Sequence, residues 1–161
     1  MTACETAMEL NPNNDCAYVC AGLISMARGE PEKSIPFFEK SLGLNPRFRP
    51  FTKYKYMAIA SIQAGNDAEA VKLANKAITA APNDAVARFV LASALAHLER
   101  MQEARAVLAT YLDLAGDLQL TVGDLRARYA WMGPGFERVL DGLSRTGMPE
   151  TRRPGVCRTH P

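Results

Sequence analysis

At 161 residues, 48% hydrophobic and 22% charged, the chain has material for one domain of roughly 100 to 150 residues and a short tail. Its formal net charge is +2, and Arg152, Arg153 and Arg158 all lie in the acid-free last eleven residues, so the rest is close to neutral and a globally basic nucleic-acid binder is not indicated. The opening MTACETAMELNPNN lacks a basic and an apolar leader region, and the longest apolar stretch, Ala85 to Leu98, is broken by Arg88 and His97, so neither a signal peptide nor a transmembrane helix is expected.

In chain order, residues 2–10 suggest a helix closed by Leu10-Asn11-Pro12, and an equivalent tripeptide, Leu44-Asn45-Pro46, returns 34 residues later. Ala7 precedes Pro12 by five positions, as Ser41 precedes Pro46 and Ala77 precedes Pro82. Residues 1–12 are therefore expected to be the second helix of a repeat that is cut before its first. The first full unit spans 13–46. Its first helix runs near Asn14 to Arg28, capped by Asn14 or Asp15, with Tyr18, Ala21, Gly22 and Ser25 on one face. Gly22 costs about 1 kcal/mol of helix propensity, which suggests close approach to the paired helix. Gly29 supplies the left-handed residue that ends the helix and Pro31 starts the next. Pro36 falls inside that second helix and predicts a slight kink or a late start.

The second unit, 47–82, follows a lengthened leading loop and places Tyr54, Met57, Ala58 and Ser61 where the first has Tyr18, Ala21, Gly22 and Ser25. Gly65 takes the place of Gly29. The third, 83–116, repeats the pattern with Leu91, Ala92, Leu95, Ala104, Leu108 and Tyr111. It has Glu99 where the turn glycine belongs and closes on Ala115-Gly116-Asp117 rather than on proline. Thr121 with Asp124 predicts a capping-box start for a short helix to about Tyr129, and a last helix spans Phe136 to Arg145 and ends at Gly147. Together 117–150 form a C-terminal helical cap, and the Arg- and Pro-rich 151–161 are expected to be disordered.

The small residue at the eighth place, the turn glycine, the alanine of the second helix and the closing proline, in three in-phase copies and a half, resemble tetratricopeptide repeats (TPRs). The resemblance implies an all-α, right-handed solenoid of antiparallel helix pairs, whose concave groove, lined by first helices, binds peptides or partner helices. More narrowly, the LNPNN-type repeats, the PRFRPF loop, LRARY after the last repeat and the ending VLDGLSRTGMPE are similar to the C-terminal TPR region of bacterial class III adenylate/guanylate cyclases and related winged-helix regulators. This implies either the regulatory TPR part of such a protein or a C-terminal fragment of a cyclase whose catalytic domain lies outside the chain.

No stretch reads as a strand or as a phosphate-cradling glycine loop, so no enzyme activity and no cofactor is assigned. Cys4, Cys16, Cys20 and Cys157 are too few and too irregular for a disulfide framework, which fits a reducing, cytoplasmic setting. Cys16 and Cys20, four apart, lack a second ligand pair for zinc and are expected as buried or half-buried thiols. The stretch Arg47, Phe48, Arg49, Phe51, Lys53, Tyr54, Lys55, Tyr56 could stack bases and contact phosphates, but Tyr54 is a repeat core position and the cations are expected to solvate an exposed face.

By repeat phase the groove comprises Val19, Leu23 and Met26 of the first unit, Thr52, Lys55, Ile59 and Ile62 of the second, and Val86, Phe89, Ser93 and His97 of the third. The TPR clamp for acidic chaperone tails needs Lys, Asn and Arg on this face and finds only Lys55, so that partner is disfavoured. A mostly apolar groove instead suits an amphipathic helix. That helix is either a partner's or the chain's own segment 136–146, with Phe136, Val139, Leu140 and Leu143, and the residues leave the choice open.

Overall fold

The computed structural model describes residues 3–115 and 120–151. They form the helices α1 (Ala3–Leu10), α2 (Asp15–Ala27), α3 (Pro31–Leu44), α4 (Pro50–Gln63), α5 (Asp67–Ala80), α6 (Ala85–His97), α7 (Met101–Ala115), α8 (Val122–Arg128) and α9 (Phe136–Thr146), with a 3-10 turn at Ala130–Met132. The architecture is an all-α TPR-type solenoid. The closure expected at Ala115-Gly116-Asp117 and the tail expected to be disordered lie wholly or largely outside the described residues.

The chain stacks as pairs α2/α3, α4/α5 and α6/α7, each packed on the next. The first helices α2, α4 and α6 also touch in succession, whereas no contact of similar extent joins α3 to α5 among the described residues. The first helices therefore make the inner face and the second helices the splayed outer one. The expected close approach at Gly22 is present: a Cβ there would lie 2.7 Å from two atoms of the Phe38 ring, which is itself fully buried. Burying that ring stabilises the pair by roughly 2 to 3 kcal/mol.

The three turns inside the helix pairs α2/α3, α4/α5 and α6/α7 share one geometry. Gly29, Gly65 and Glu99 each adopt positive φ (77°, 81° and 60°). In each turn the following amide reaches back five residues, from Glu30 to the Ser25 carbonyl, from Asn66 to Ser61 and from Arg100 to Leu95, at 2.8 to 3.0 Å. These are the paired bonds that satisfy the open carbonyls at a helix end. Glu99 pays a steric cost that the two glycines avoid, because its Cβ meets the backbone in this conformation. It is retained without a change of turn because the same hydrogen bonds hold it.

Several expectations are corrected. α3 starts at Pro31, so Pro36 is carried within the helix and causes no late start. Asn14 makes no side-chain cap bond, and Asp15 instead accepts from Lys53 Nζ at 3.2 Å. Asp84, at the matching place in the third unit, does cap α6, accepting from the Ala87 amide at 2.9 Å. Cys4 and Cys20 are disulfide-bonded, joining α1 to α2, so Cys20 is not a thiol, and only Cys16, which is exposed, is free among the described cysteines. Sequence spacing hid this pairing because it runs between two helices rather than along one. It also removes the cysteine-based ground for a reducing compartment.

Two measurements follow. Glu99→Gly should raise stability by about 1 kcal/mol in urea titration, whereas the same exchange on a helix would lower it. Reduction, or Cys20→Ser, should lower stability by up to about 3 kcal/mol, given a sequence separation of 16 residues across the bond. Peptide mapping under non-reducing conditions should recover Cys4 and Cys20 in one linked fragment.

Candidate functional site: the inner face and the helix laid on it

Burial along the inner face rises from the first unit to the third. In α2 the buried residues are Ala17, Ala21, Gly22, Ser25 and Met26, essentially one side. In α4 every residue from Met57 to Ile62 is buried, and in α6 every residue from Phe89 to Ala96. A helix buried on all sides must be covered by more than its own repeat. The cover is α9, which packs against α4 and α6, while the 3-10 turn before it touches α2.

The approach is close enough to demand glycine at two places. Gly133 adopts φ +77°, and a Cβ there would collide with the Ala27 carbonyl oxygen at the end of α2. A Cβ on Gly142 would collide with Ser93 Oγ and lie 2.7 Å from the Ser93 carbonyl oxygen and 3.0 Å from His97 Nε2. Ser93 Oγ donates to the Val139 carbonyl at 2.8 Å. His97 Nε2 lies 2.8 Å from the Arg138 carbonyl, and since a carbonyl only accepts, this nitrogen carries the hydrogen. The Arg138 guanidinium forks onto Asp67, with Nη1 to Oδ1 at 2.5 Å and Nη2 to Oδ2 at 2.8 Å, and Nη1 also donates to the Ile62 carbonyl at 2.9 Å. Val139, Leu140 and Leu143 fill the apolar seat, each 1% exposed or less.

The groove residues named from sequence therefore divide into two sets. Met26, Ile59, Ile62, Phe89 and Ser93 are buried, and His97 is half-buried and bonded to α9. Val19, Leu23, Thr52, Lys55 and Val86 stay half-exposed. Lys55 is not a free cation, because it pairs with Asp84 at 2.8 Å. Sequence reasoning missed Asp67 and Arg138, whose contact spans 71 positions along the chain. The run of apolar and small residues from Phe89 to Ala96 in α6, between Arg88 and His97, was the signal that something covers it.

The segments LRARY and VLDGLSRTGMPE are pinned to each other. Thr121 and Asp124 form the expected capping box, the Val122 and Gly123 amides donate to the carbonyls of Pro149 and Glu150 at 3.0 and 2.9 Å, and Arg126 pairs with both Glu137 and Glu150. The cap is thus one packed unit. The basic-aromatic stretch also departs from expectation. Lys53, only 3% exposed, donates to Asp15 and to the carbonyls of Asn45 and Phe48, so it ties down the loop rather than solvating a face. Tyr56 stacks on Phe38 at 5.7 Å and Lys76 lies over Tyr54, which leaves Arg47, Phe48 and Arg49 as the exposed members.

Among the described residues no three His, Cys, Asp or Glu side chains gather as metal ligands, and no helix is long and apolar enough to cross a membrane. An aromatic cluster joins the array to the cap: Phe89 meets Tyr111 and Tyr129 at 5.9 Å each, and Tyr129 meets Phe136 at 5.2 Å. Burial pushes the hydroxyls of Tyr56, Tyr111 and Tyr129 above their ordinary value of 10.0. The unfolded chain then loses these protons first as pH rises, so the stabilisation is intact below about pH 10 and is lost above it. Urea midpoints measured from pH 8 to 11 should stay level and then decline, and Tyr129→Phe should soften that decline.

Two family models, both described as tetratricopeptide repeat, match residues 17–48 and 61–129, together well over half of the chain. No curated protein matches the chain by sequence. Two crystal structures of MamA superpose on 89% of this chain at 17% identity, one over 82% of its own length with a TM-score of 0.64 and one over 77% with 0.63. YrrB, described as a TPR protein with an unusual peptide-binding site, superposes at 17% identity over 90% of this chain and 91% of its own, but with a TM-score of 0.39 it is too distant in shape to inform this fold. Repeats of this kind generally mediate protein–protein interactions and are typically non-catalytic. On these two matches, this chain belongs to the tetratricopeptide repeat family.

Proposed function

We propose that this protein is a non-catalytic interaction module whose ligand is an amphipathic helix held on the apolar inner face of α2, α4 and α6. The observation that carries the reading is that this face already holds such a helix. α9 turns Phe136, Val139, Leu140 and Leu143 to the array and leaves Glu137, Asp141 and Arg145 exposed. A groove that accepts one helix by shape, apolar contact and backbone hydrogen bonds is chemically suited to another.

In this reading the groove has two parts. One, floored by Ile59, Ile62, Phe89 and Ser93, is covered by the cap, and in the other Val19, Leu23 and Val86 are partly buried, with Thr52 Oγ1 enclosed and Lys55 paired with Asp84. A partner would meet the second part first. The resemblance of the LRARY and VLDGLSRTGMPE segments further suggests that the module serves a nucleotide cyclase or a related regulator, and the mutual packing of those segments supports treating them as one inherited cap.

The test is capture by the full chain. Val19→Glu and Leu23→Glu place charge at half-exposed positions and should leave the helical circular-dichroism spectrum unchanged while removing the proteins that the unaltered chain retains. An identical set retained by the folded variants would overturn the assignment of this face.

A further inference from the structure

We propose that the bond between Cys4 and Cys20 is a reversible latch on α1, opened by a dithiol reductant that attacks Cys20. The covering of α2 at the first end of the array then follows the thiol–disulfide balance around the protein. The latch is independent of what the inner face binds.

α1 depends on the bond because little else of it is buried. It is the one helix of the described residues that adds no side chain to the hydrophobic core. Cys4, 6% exposed, is its only buried residue, while Thr6, Ala7 and Met8 are half-buried and Leu10 is 82% exposed. Its packing is on α2. At eight residues it is also shorter than the roughly 12 to 15 that an isolated helix needs in water. What keeps α1 helical is therefore its seat on α2, and the cystine is the buried part of that seat. With the bond open, the half-buried side chains alone oppose the conformational entropy of the segment. The helices α2 to α9 keep the shared core, to which α1 adds nothing.

The two sulfurs are unequally reachable. Cys20 is exposed and Cys4 is buried, so an incoming thiolate meets Cys20 first. It bonds to Cys20 Sγ, the bond to Cys4 breaks, and Cys4 leaves as a thiolate that takes a proton. The second thiolate of the reductant then attacks the reductant's own sulfur in the mixed disulfide, and Cys20 is released and protonated in turn. The cystine gains two electrons and two protons, and the dithiol becomes a disulfide.

The latch closes on one pairing although a third thiol is near. Cys16 is exposed and free, one turn before Cys20 on α2. Residues four apart on a helix hold their Cβ atoms about 5 to 6 Å apart, whereas a disulfide needs about 3.5 to 4.5 Å, so Cys16 cannot bond Cys20 while α2 is helical. Pairing Cys16 with Cys4 would require docked α1 to slide by about one turn, roughly 5.4 Å. The link between the helices holds the register against that. Tyr18 Oη donates to the Pro12 carbonyl at 3.1 Å, the Asn14 amide to the Asn11 carbonyl at 3.0 Å and the Asn13 amide to Asn11 Oδ1 at 3.1 Å.

The experiment follows hydrogen–deuterium exchange by peptide in the full chain carrying Cys157→Ser, before and after dithiothreitol. Reduction should speed exchange across residues 3–10 by roughly tenfold or more and change α4 to α9 by less than about twofold. Cys4→Ser without reductant should give the same pattern. Oxidised glutathione, added once dithiothreitol is removed, should restore slow exchange with Cys4 and Cys20 in one linked fragment. A short pulse of reduced glutathione quenched with acid should leave glutathione on Cys20. Unchanged exchange over 3–10 after reduction would mean that α1 is held without the bond, and an equal rise from α2 to α9 would make the bond a brace of the whole array. Either result overturns the latch. A reoxidised chain linked through Cys16 would overturn the single pairing, and glutathione found on Cys4 would overturn the site of attack.

Discussion

Everything in this fold answers to the inability of α6 to present a polar side to water. From Phe89 to Ala96 each of its residues is buried, so it must be packed all round. Its neighbours α5 and α7 cover the outer sides, and only an added element can cover the inner one. α9 does this at the cost of geometric exactness, since Gly142 leaves just enough room for Ser93 and His97 to reach the backbone of the incoming helix. The apolar contact supplies the drive, and the polar contacts set the orientation.

That division separates two properties that usually travel together in a helical repeat. Stacking of α2/α3 on α4/α5 on α6/α7 makes a surface whose shape repeats, but the chemistry along it does not. The first unit offers half-exposed Val19 and Leu23, and the third is closed over by the cap. Neighbouring units are tied by buried ion pairs: Lys53 holds the loop after α3 through three oxygen partners, and Asp84 both caps α6 and receives Lys55.

The repeat units were legible in the residues because they depend on short-range chemistry. Gly29 and Gly65 stand where a left-handed backbone ends a helix, Thr121 and Asp124 cap one reciprocally, and Gly22 marks a close approach that Phe38 fills. Glu99 shows the limit of such reasoning in a useful way. Its turn forms as in the other two units, because the hydrogen bonds that define it come from the backbone and the side chain only modifies their cost. The cap helices were readable as helices, and their apolar residues as a face in need of a neighbour.

What the sequence determined by itself was therefore the period, the turns and the existence of an amphipathic last helix, all of which rest on contacts within a few residues or on one repeated spacing. The tertiary structure alone decided where that helix lies, that Arg138 meets Asp67 across 71 positions, that Lys53 is an interior anchor, and that Cys4 bonds Cys20 rather than both remaining thiols. The physical reason is common to all four. Each is a pairing between different elements whose separation along the chain carries no periodic signal: Cys4 meets Cys20, and Lys53 meets Asp15, only when neighbouring helices pack, and Arg138 meets Asp67 only when the cap folds back onto the array.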